Sequence, residues 1–357
     1  PGLRPVMVAH RGGFLLDKNG LPLDQDVARR MAGTRQGLVE HISGQPGYQR
    51  RSKTGNPWEL IDPLREEVLL RDTVVVDLTD ADAEQAGALH LTALDSGLAV
   101  ETANKGTVTG SLEVYDRVME YAARYGAFGY APTVMAGTGD VIRLVRERRG
   151  VLTRMEAALS GTLSFLDRSM LDTAQKIGPD QGRGFAGHLQ LASEMGLTES
   201  DWRLDVSGKD MIGKVVTLAR AAGFRVTVDD VDVEEPYLYE EFLRTGEPFE
   251  TFRTRLPEAD ARMTHRFSGP LSATYPDVPR ALRYVASLDL EEREAPKLAV
   301  GFREFEVNSA LAKLQGPDNM AVFHMPFGKF HVRGPGAGAH VTAGNALLEA
   351  SRLGMSP

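Results

Sequence analysis

Cysteine is absent from this 357-residue chain, which removes disulfides, thiolate nucleophiles and cysteine-ligated metals from its chemistry. Nothing in the sequence points to an oxidising compartment. Basic residues are in deficit, 41 Lys and Arg against 49 Asp and Glu, for a formal net charge of -8. That balance argues against nonspecific nucleic-acid binding, which needs cationic surface to neutralise phosphates. No apolar run approaches the ~20 residues that span a bilayer, and no charged start followed by an apolar stretch reads as a signal peptide. The eight histidines are scattered without an H-E-x-x-H or comparable metal pattern. The remaining expectation is a cytoplasmic protein acting on a small molecule, with neither nucleic acid nor membrane as partner.

What is present is ordinary for a globular chain with room for two domains: 42% hydrophobic and 25% charged residues. The first part alternates strand and helix signals, the pattern of a parallel sheet covered by helices. Strands are expected at 5–9, 73–78 and 97–102, helices at 82–96 and 110–125, and an exposed loop over 44–58. After Tyr130, helices are expected near 139–148, 162–174 and 184–195. From 262 onward short strands are expected at 262–268, 281–288, 297–305 and 320–324, so the second domain reads as α+β. The acidic stretch 229–241 reads as a solvated loop or helix end. There is no internal repeat or low-complexity segment.

The densest chemistry lies between Thr198 and Lys214. Met211, Val215, Leu218 and Ala222 form one helical stripe, widened by Ile212, Val216 and Ala219 and closed by Gly223. Asp210 and Lys214 are neighbours on the remaining face. That face continues as Thr217 and Ala221 rather than as further charge, which places the pair at a partly enclosed surface. The alternative is a surface ion pair, with Ser207 as N-cap and Asp210 closing a capping box.

Gly334-Pro335-Gly336-Ala337-Gly338-Ala339 fits a G-x-G-x-x-A pattern. A dinucleotide fingerprint follows the first strand of a βαβ unit, whereas this run lies near the end of the chain. It sits between an expected strand at 330–333 and an expected helix from near Thr342. Its amides can meet an anion or a cofactor edge, or it is a tight structural turn. Pro1 stands where the approach to the second strand of such a fold is expected, so the first strand and its phosphate-binding loop are expected to be missing. Arg11 follows that strand, where a side chain faces an adenosine ribose. A cation there favours a 2′-phosphate, hence NADP over NAD; a surface arginine is the alternative.

Four stretches together resemble the homoserine dehydrogenase family across essentially the whole chain: Asp77-Leu78-Thr79 with Ala103-Asn104-Lys105; Leu159-Ser160-Gly161-Thr162-Leu163-Ser164-Phe165; Gly196-Leu197-Thr198-Glu199 through Asp205-Val206-Ser207-Gly208-Lys209-Asp210 to Lys214; and Leu314-Gln315-Gly316-Pro317-Asp318-Asn319 with the late glycine run and Thr342-Ala343. The resemblance implies an α/β protein. A discontinuous Rossmann-type dinucleotide-binding domain, residues 1–135 and N-terminally incomplete, is joined to an α+β catalytic and dimerisation domain with a mixed sheet, 136–330. Residues 331–357 return to the first domain, and no regulatory ACT extension is expected.

The implied activity is reversible NAD(P)-dependent oxidation of L-homoserine to L-aspartate 4-semialdehyde, by a homodimer, in the branch toward threonine and methionine. Lys105, at a strand end where open α/β sheets place ligands, and Lys214 are the implied proton-handling groups, with Asp210 orienting Lys214. Two lysines sharing a pocket lower each other's pKa. Glu199 and Asp205 are implied to hold the substrate ammonium, and Gly161 and Thr162 its polar end. Arg11, Thr79, Asn104, Lys105, Gly336, Gly338 and Thr342 are the implied cofactor contacts. Alternatives are a divergent family dehydrogenase for another 4-hydroxy or 4-oxo amino acid, or a non-catalytic dimeric homologue.

Two departures from the family pattern carry expectations. Where the family has Glu-Pro-Asp-Pro, this chain has Glu199-Ser200-Asp201-Trp202. Losing both prolines loosens the loop holding Glu199, and Trp202 adds bulk beside it, altering substrate recognition. The hinge reads Ala131-Pro132-Thr133-Val134-Met135-Ala136-Gly137, without the family's glutamate and with Met135 in a glycine position. A family sodium ion would have the carbonyls of Val134, Ala136 and Thr138 here, in a weaker site.

Overall fold

In the computed structural model, residues 3–10, 13–21, 40–50, 56–66, 73–125, 127–138, 141–180, 182–244, 246–268, 280–336 and 338–354 are described. The chain divides into one unit of Pro1–Tyr130 with Ala346–Pro357 and a second of Ala131–Asn345. The sequence expectation put these divisions after 135 and 330.

In the first unit, β1 (Met7–His10), β2 (Gly13–Leu16) and β3 (Gln49–Arg50) form an antiparallel sheet of their own. The strand expected at 5–9 is therefore not a member of the parallel sheet: the apolar Gly13–Leu16 run just beyond it supplies a local antiparallel partner. After α1 (Trp58–Glu66), the β-branched run Val74-Val75-Val76 makes β4 (Val74–Asp77). Helix α2 (Ala83–Asp95) begins where Asp82 accepts the Gln85 amide, and buries Ala86, His90, Ala93 and Leu94 at helical spacing. Strand β5 (Ala99–Thr102), α3 (Gly106–Thr109), α4 (Leu112–Tyr125) and β6 (Phe128–Gly129) follow, and β4, β5 and β6 pair in parallel. The register Asp77↔Thr102 sets the loops after β4 and β5 side by side.

The second unit opens with two 3-10 turns, Ala131–Thr133 and Ala136–Thr138, and α5 (Val141–Arg148). Then come β7 (Arg154–Ala158), α6 (Gly161–Gln175), α7 (Phe185–Glu194), α8 (Trp202–Val206) and α9 (Lys209–Ala221). Strand β8 (Val231–Val233), α10 (Phe249–Arg255) and α11 (Asp260–Ser268) lead to four long strands. These are β9 (Arg280–Asp289), β10 (Lys297–Glu306), β11 (Asp318–Met325) and β12 (Gly328–Pro335), before α12 (Ala339–Gly354). The six strands pair in the order β12-β11-β7-β9-β10-β8, parallel only between β8 and β10, so the sheet is mixed as expected. Strand β12 pairs with β11 along its whole length, which keeps the residues after 330 in this unit.

Two segments differ from their sequence reading. The expected strand at 262–268 is helix α11, whose buried Met263 and Phe267 are four residues apart; the period that won is 3.6, not 2. The acidic stretch 229–241 contains β8 and the fully buried Tyr237 and Leu238. Tyr237 packs edge-on against Tyr284 at 5.3 Å and tilted against Phe302 at 5.3 Å, an apolar anchor that outweighs the surrounding charge. No helix among the described residues is long and apolar enough to cross a membrane.

Candidate active site

In the first unit, the loops after β4 and β5 hold each other. Asp77 Oδ1 accepts the Thr79 amide at 2.9 Å, and Asn104 Nδ2 donates to Ala81 O at 2.9 Å and to Thr79 Oγ1 at 3.4 Å. Asn104 Oδ1 accepts the Gly106 amide at 2.7 Å, which starts α3 directly after Lys105. Beneath this lies a buried relay that sequence reading missed: Asp77 Oδ2 is 2.9 Å from His90 Nε2, and His90 Nδ1 is 2.9 Å from Thr107 Oγ1. Burial pushes the Asp77 carboxyl up, but hydrogen bonds from His90 and the Thr79 amide, with the His90 charge, hold it below its ordinary value. The available signal was a histidine on the apolar stripe of α2. Thr79, Asn104 and Lys105 are thus brought together; Arg11 lies outside the described residues.

In the second unit, Lys214 is buried, with its Nζ donating to Leu159 O at 2.5 Å and standing 2.7 Å from Asp210 Oδ2. The polar face of α9 is enclosed: Thr217 and Ala221 are buried with Lys214, while Asp210 remains half exposed. Ser207 and Asp210 do not form a capping box. Ser207 ends α8, and Gly208, with φ 72, is the N-cap of α9. A left-handed glycine lets α8 turn directly into α9, so the carboxylate of Asp210 is left for Lys214.

Leu159 also leads into the N-terminus of α6, where the rest of the cluster lies. The Thr162 hydroxyl stands 2.6 Å from Leu197 O and 2.9 Å from Asp205 Oδ1, and Asp205 Oδ2 accepts the Glu199 amide at 2.9 Å. Burial raises the Asp205 carboxyl above its ordinary value; the Glu199 amide and Thr162 hydroxyl offset this in part, and the charges of Glu199 and Asp210 add to it. Thr162, Glu199, Asp205, Asp210 and Lys214 therefore form one electrostatic cluster. Gly161 has a steric reason: a Cβ there would meet Pro317 O at 2.8 Å. A backbone carbonyl such as Leu159 O has no sequence signal of its own.

Trp202 is not a bulky group set against Glu199. Its indole is buried, donates Nε1–H to Ser193 Oγ at 3.2 Å, meets Phe249 edge-on at 5.5 Å and lies under the Arg253 guanidinium at 5.2 Å. Nor is the loop left loose: Arg203 forks onto Asp201 and donates to Glu247 O at 2.6 Å. In the late glycine run, Gly336 backs onto the Asn319 carboxamide, whose atoms lie 2.1–2.4 Å from where a Cβ would be. That amide is fully buried with neither its O nor its N hydrogen-bonded. The Thr342 amide donates to Gly338 O at 2.9 Å, winding the first turn of α12. Val134 and Ala136 are buried, and the Ala136 carbonyl accepts from Asn345 Nδ2 at 2.9 Å. Among the described residues no group of three or more His, Asp or Glu is placed to hold a metal ion.

A parallel sheet with paired loops at its carboxyl ends in one unit, and a mixed sheet with a buried lysine beside carboxylates in the other, define a two-unit α/β protein. The homoserine dehydrogenase family model matches residues 141–349, and the chain belongs to that family. It is 30% identical over 259 residues to homoserine dehydrogenase of Emericella nidulans, covering 70% of this chain and 67% of that one. It is 30% identical over 311 residues to the bifunctional aspartokinase/homoserine dehydrogenase of Daucus carota, covering 85% of this chain. This chain spans about a third of the length of that bifunctional relative (32%). Among solved structures, a hyperthermophilic archaeal homoserine dehydrogenase in complex with NADPH superposes with a TM-score of 0.65 at 20% identity, covering 98% of this chain and 87% of that one.

Proposed function

We propose that this chain is a homoserine dehydrogenase, interconverting L-homoserine and L-aspartate 4-semialdehyde with a nicotinamide dinucleotide. The observation that carries this reading is the Lys214 ammonium, buried between Asp210 and Leu159 O within the carboxylate cluster of Glu199 and Asp205. Oxidation of a primary alcohol requires a proton to leave oxygen as hydride leaves carbon. Lys214 handles that proton, with Asp210 balancing its charge, and Lys105 at the end of β5 is the second proton-handling lysine. Glu199 and Asp205 hold the substrate ammonium. Thr162 acts through Asp205, to which its hydroxyl is bonded, and the tight approach of Pro317 to Gly161 fixes the segment that also carries Leu159 O.

The residue types fit a nicotinamide dinucleotide: Thr79 and Asn104, interlocked at the strand ends of the first unit, and Gly336, set against the orphaned Asn319 amide, with Gly338 and Thr342 in the second, would contact it. When bound, that group supplies hydride exchange. NADP is the preferred form, on the position of Arg11 in the sequence. A weak sodium site would use the carbonyls of Val134, Ala136 and Thr138; Ala136 O also accepts an amide hydrogen from Asn345 at 2.9 Å, which leaves it a second lone pair. The homodimer, the cytoplasmic location and the branch toward threonine and methionine rest on the family resemblance. The test is NADPH and NADH oxidation with L-aspartate 4-semialdehyde. Absence of turnover in a protein that binds NADPH would sink the reading.

A further inference from the structure

Helix α8 has five residues, far fewer than the ~12–15 at which an isolated helix becomes even marginal in water. Contacts from outside must hold it. Its start is fixed by Asp201, which accepts the Arg203 amide at 3.1 Å and is forked by the Arg203 guanidinium. Its end is fixed by Val206 O, which accepts the Leu238 amide at 3.1 Å. Between these, the largest anchor is Trp202, buried against Phe249 and Arg253 of α10 and tied to Ser193 of α7.

Asp205 sits one turn along the same short helix, and its two oxygens take the Thr162 hydroxyl and the Glu199 amide. A five-residue helix moves as a unit, so the seat of the indole sets where this carboxylate stands. Through the amide of Glu199 it also sets the loop before the helix. Among the described residues, the hydrogen bond and ring contacts of Trp202 fall on α7 and α10 rather than on the carboxylates.

We propose that Trp202 is a positioning residue for substrate selection: seated on α7 and α10, it holds Asp205 and Glu199 at the spacing that receives the substrate α-ammonium. This rests on the reading of Glu199 and Asp205 as the ammonium clamp. Loss of the indole relaxes discrimination for the amino group while leaving the proton and hydride steps on α9 and the first unit in place.

The experiment compares L-homoserine with 4-hydroxybutyrate, which lacks the amino group, in the full chain and in Trp202→Phe, Trp202→Ala and Phe249→Leu variants. Trp202→Ala is expected to raise KM for L-homoserine about tenfold, the order expected for displacing a binding group by less than an ångström. The kcat, the KM for NADP and kcat/KM for 4-hydroxybutyrate should stay within about twofold. Trp202→Phe, which keeps an aromatic ring on Phe249, should recover most of the loss. Phe249→Leu, which keeps the indole and removes its partner, should shift KM in the same direction and also covers a Trp202→Ala protein that does not fold. Equal losses on both substrates, or an unchanged homoserine KM in both Trp202→Ala and Phe249→Leu, overturn the proposal. Asp205→Asn separates the two ideas: if it leaves the homoserine KM unchanged, the clamp itself is wrong. If it raises KM while the Trp202 and Phe249 variants do not, only the positioning role fails.

Discussion

At the scale of single residues, Lys214 carries two duties that a substitution separates. Its ammonium satisfies the buried Leu159 carbonyl and faces Asp210, so removing it costs structure as well as chemistry. Lys214→Ala is expected to lower kcat by ~10²–10⁴, the usual range for a general acid or base, and to lower stability by about 1–3 kcal/mol for the unpaired carbonyl. Steady-state kinetics beside thermal melting checks both; full turnover in a folded variant would reject the role. Asp205 gives a pH signature. Its carboxyl is raised by burial and by the charges of Glu199 and Asp210, so on acidification it loses its negative charge earlier than an ordinary aspartate. The KM for L-homoserine should therefore climb as pH falls, beginning above the ordinary carboxylate range. Asp205→Asn should show a high KM that no longer follows that climb.

At the scale of elements, the hinge between the two 3-10 turns keeps a backbone that suits glycine although the glycine is gone. Met135 has φ 52 and is fully buried. A left-handed backbone costs an L residue about 1–2 kcal/mol, whereas truncating a buried methionine costs about 2–5 kcal/mol. Packing wins in that comparison, so Met135→Gly should lower the melting temperature despite relieving the backbone; a rise would show that strain dominates. The same weighing explains what the sequence discloses. The stripe of α9 and the valine run of β4 are local and strongly periodic, and both elements are where the pattern puts them. The 262–268 segment misleads because its two large apolar residues, Met263 and Phe267, are four apart, a spacing that suits period 2 as well as period 3.6. Asp210 and Lys214 are legible as a pair because four residues separate them. Leu159 O, the His90 relay and the seat of Trp202 are not, since each depends on a partner far along the chain or on the backbone.

At the scale of the molecule, a buried charge pair ties stability to pH. Burial raises Asp167 from 3.8 to about 7, against the opposing Arg283 charge and the Tyr284 amide that donates to it at 2.8 Å. A carboxyl that binds its proton more tightly when folded contributes stability that is complete below its unfolded value and lost as pH rises through about 7. Asp167→Asn keeps an acceptor for the Tyr284 amide and cannot titrate. Its melting temperature relative to the parent should therefore climb between pH 5 and pH 8; a constant difference across that range would refute the assignment. The division of the chain has its own consequence for how the protein is made. A Cβ on Gly354 would stand 3.5 Å from a Val74 methyl, and Leu353 Cδ1 lies 3.2 Å from where a Cβ on Gly129 would be, so the end of α12 packs beside β4 and β6. Those strands leave the ribosome well before α12, and their cover is translated only after all of Ala131–Asn345. The first unit stays open on that flank throughout synthesis of the second, a long-range closure of the kind that slows folding and leaves apolar strands exposed to other chains.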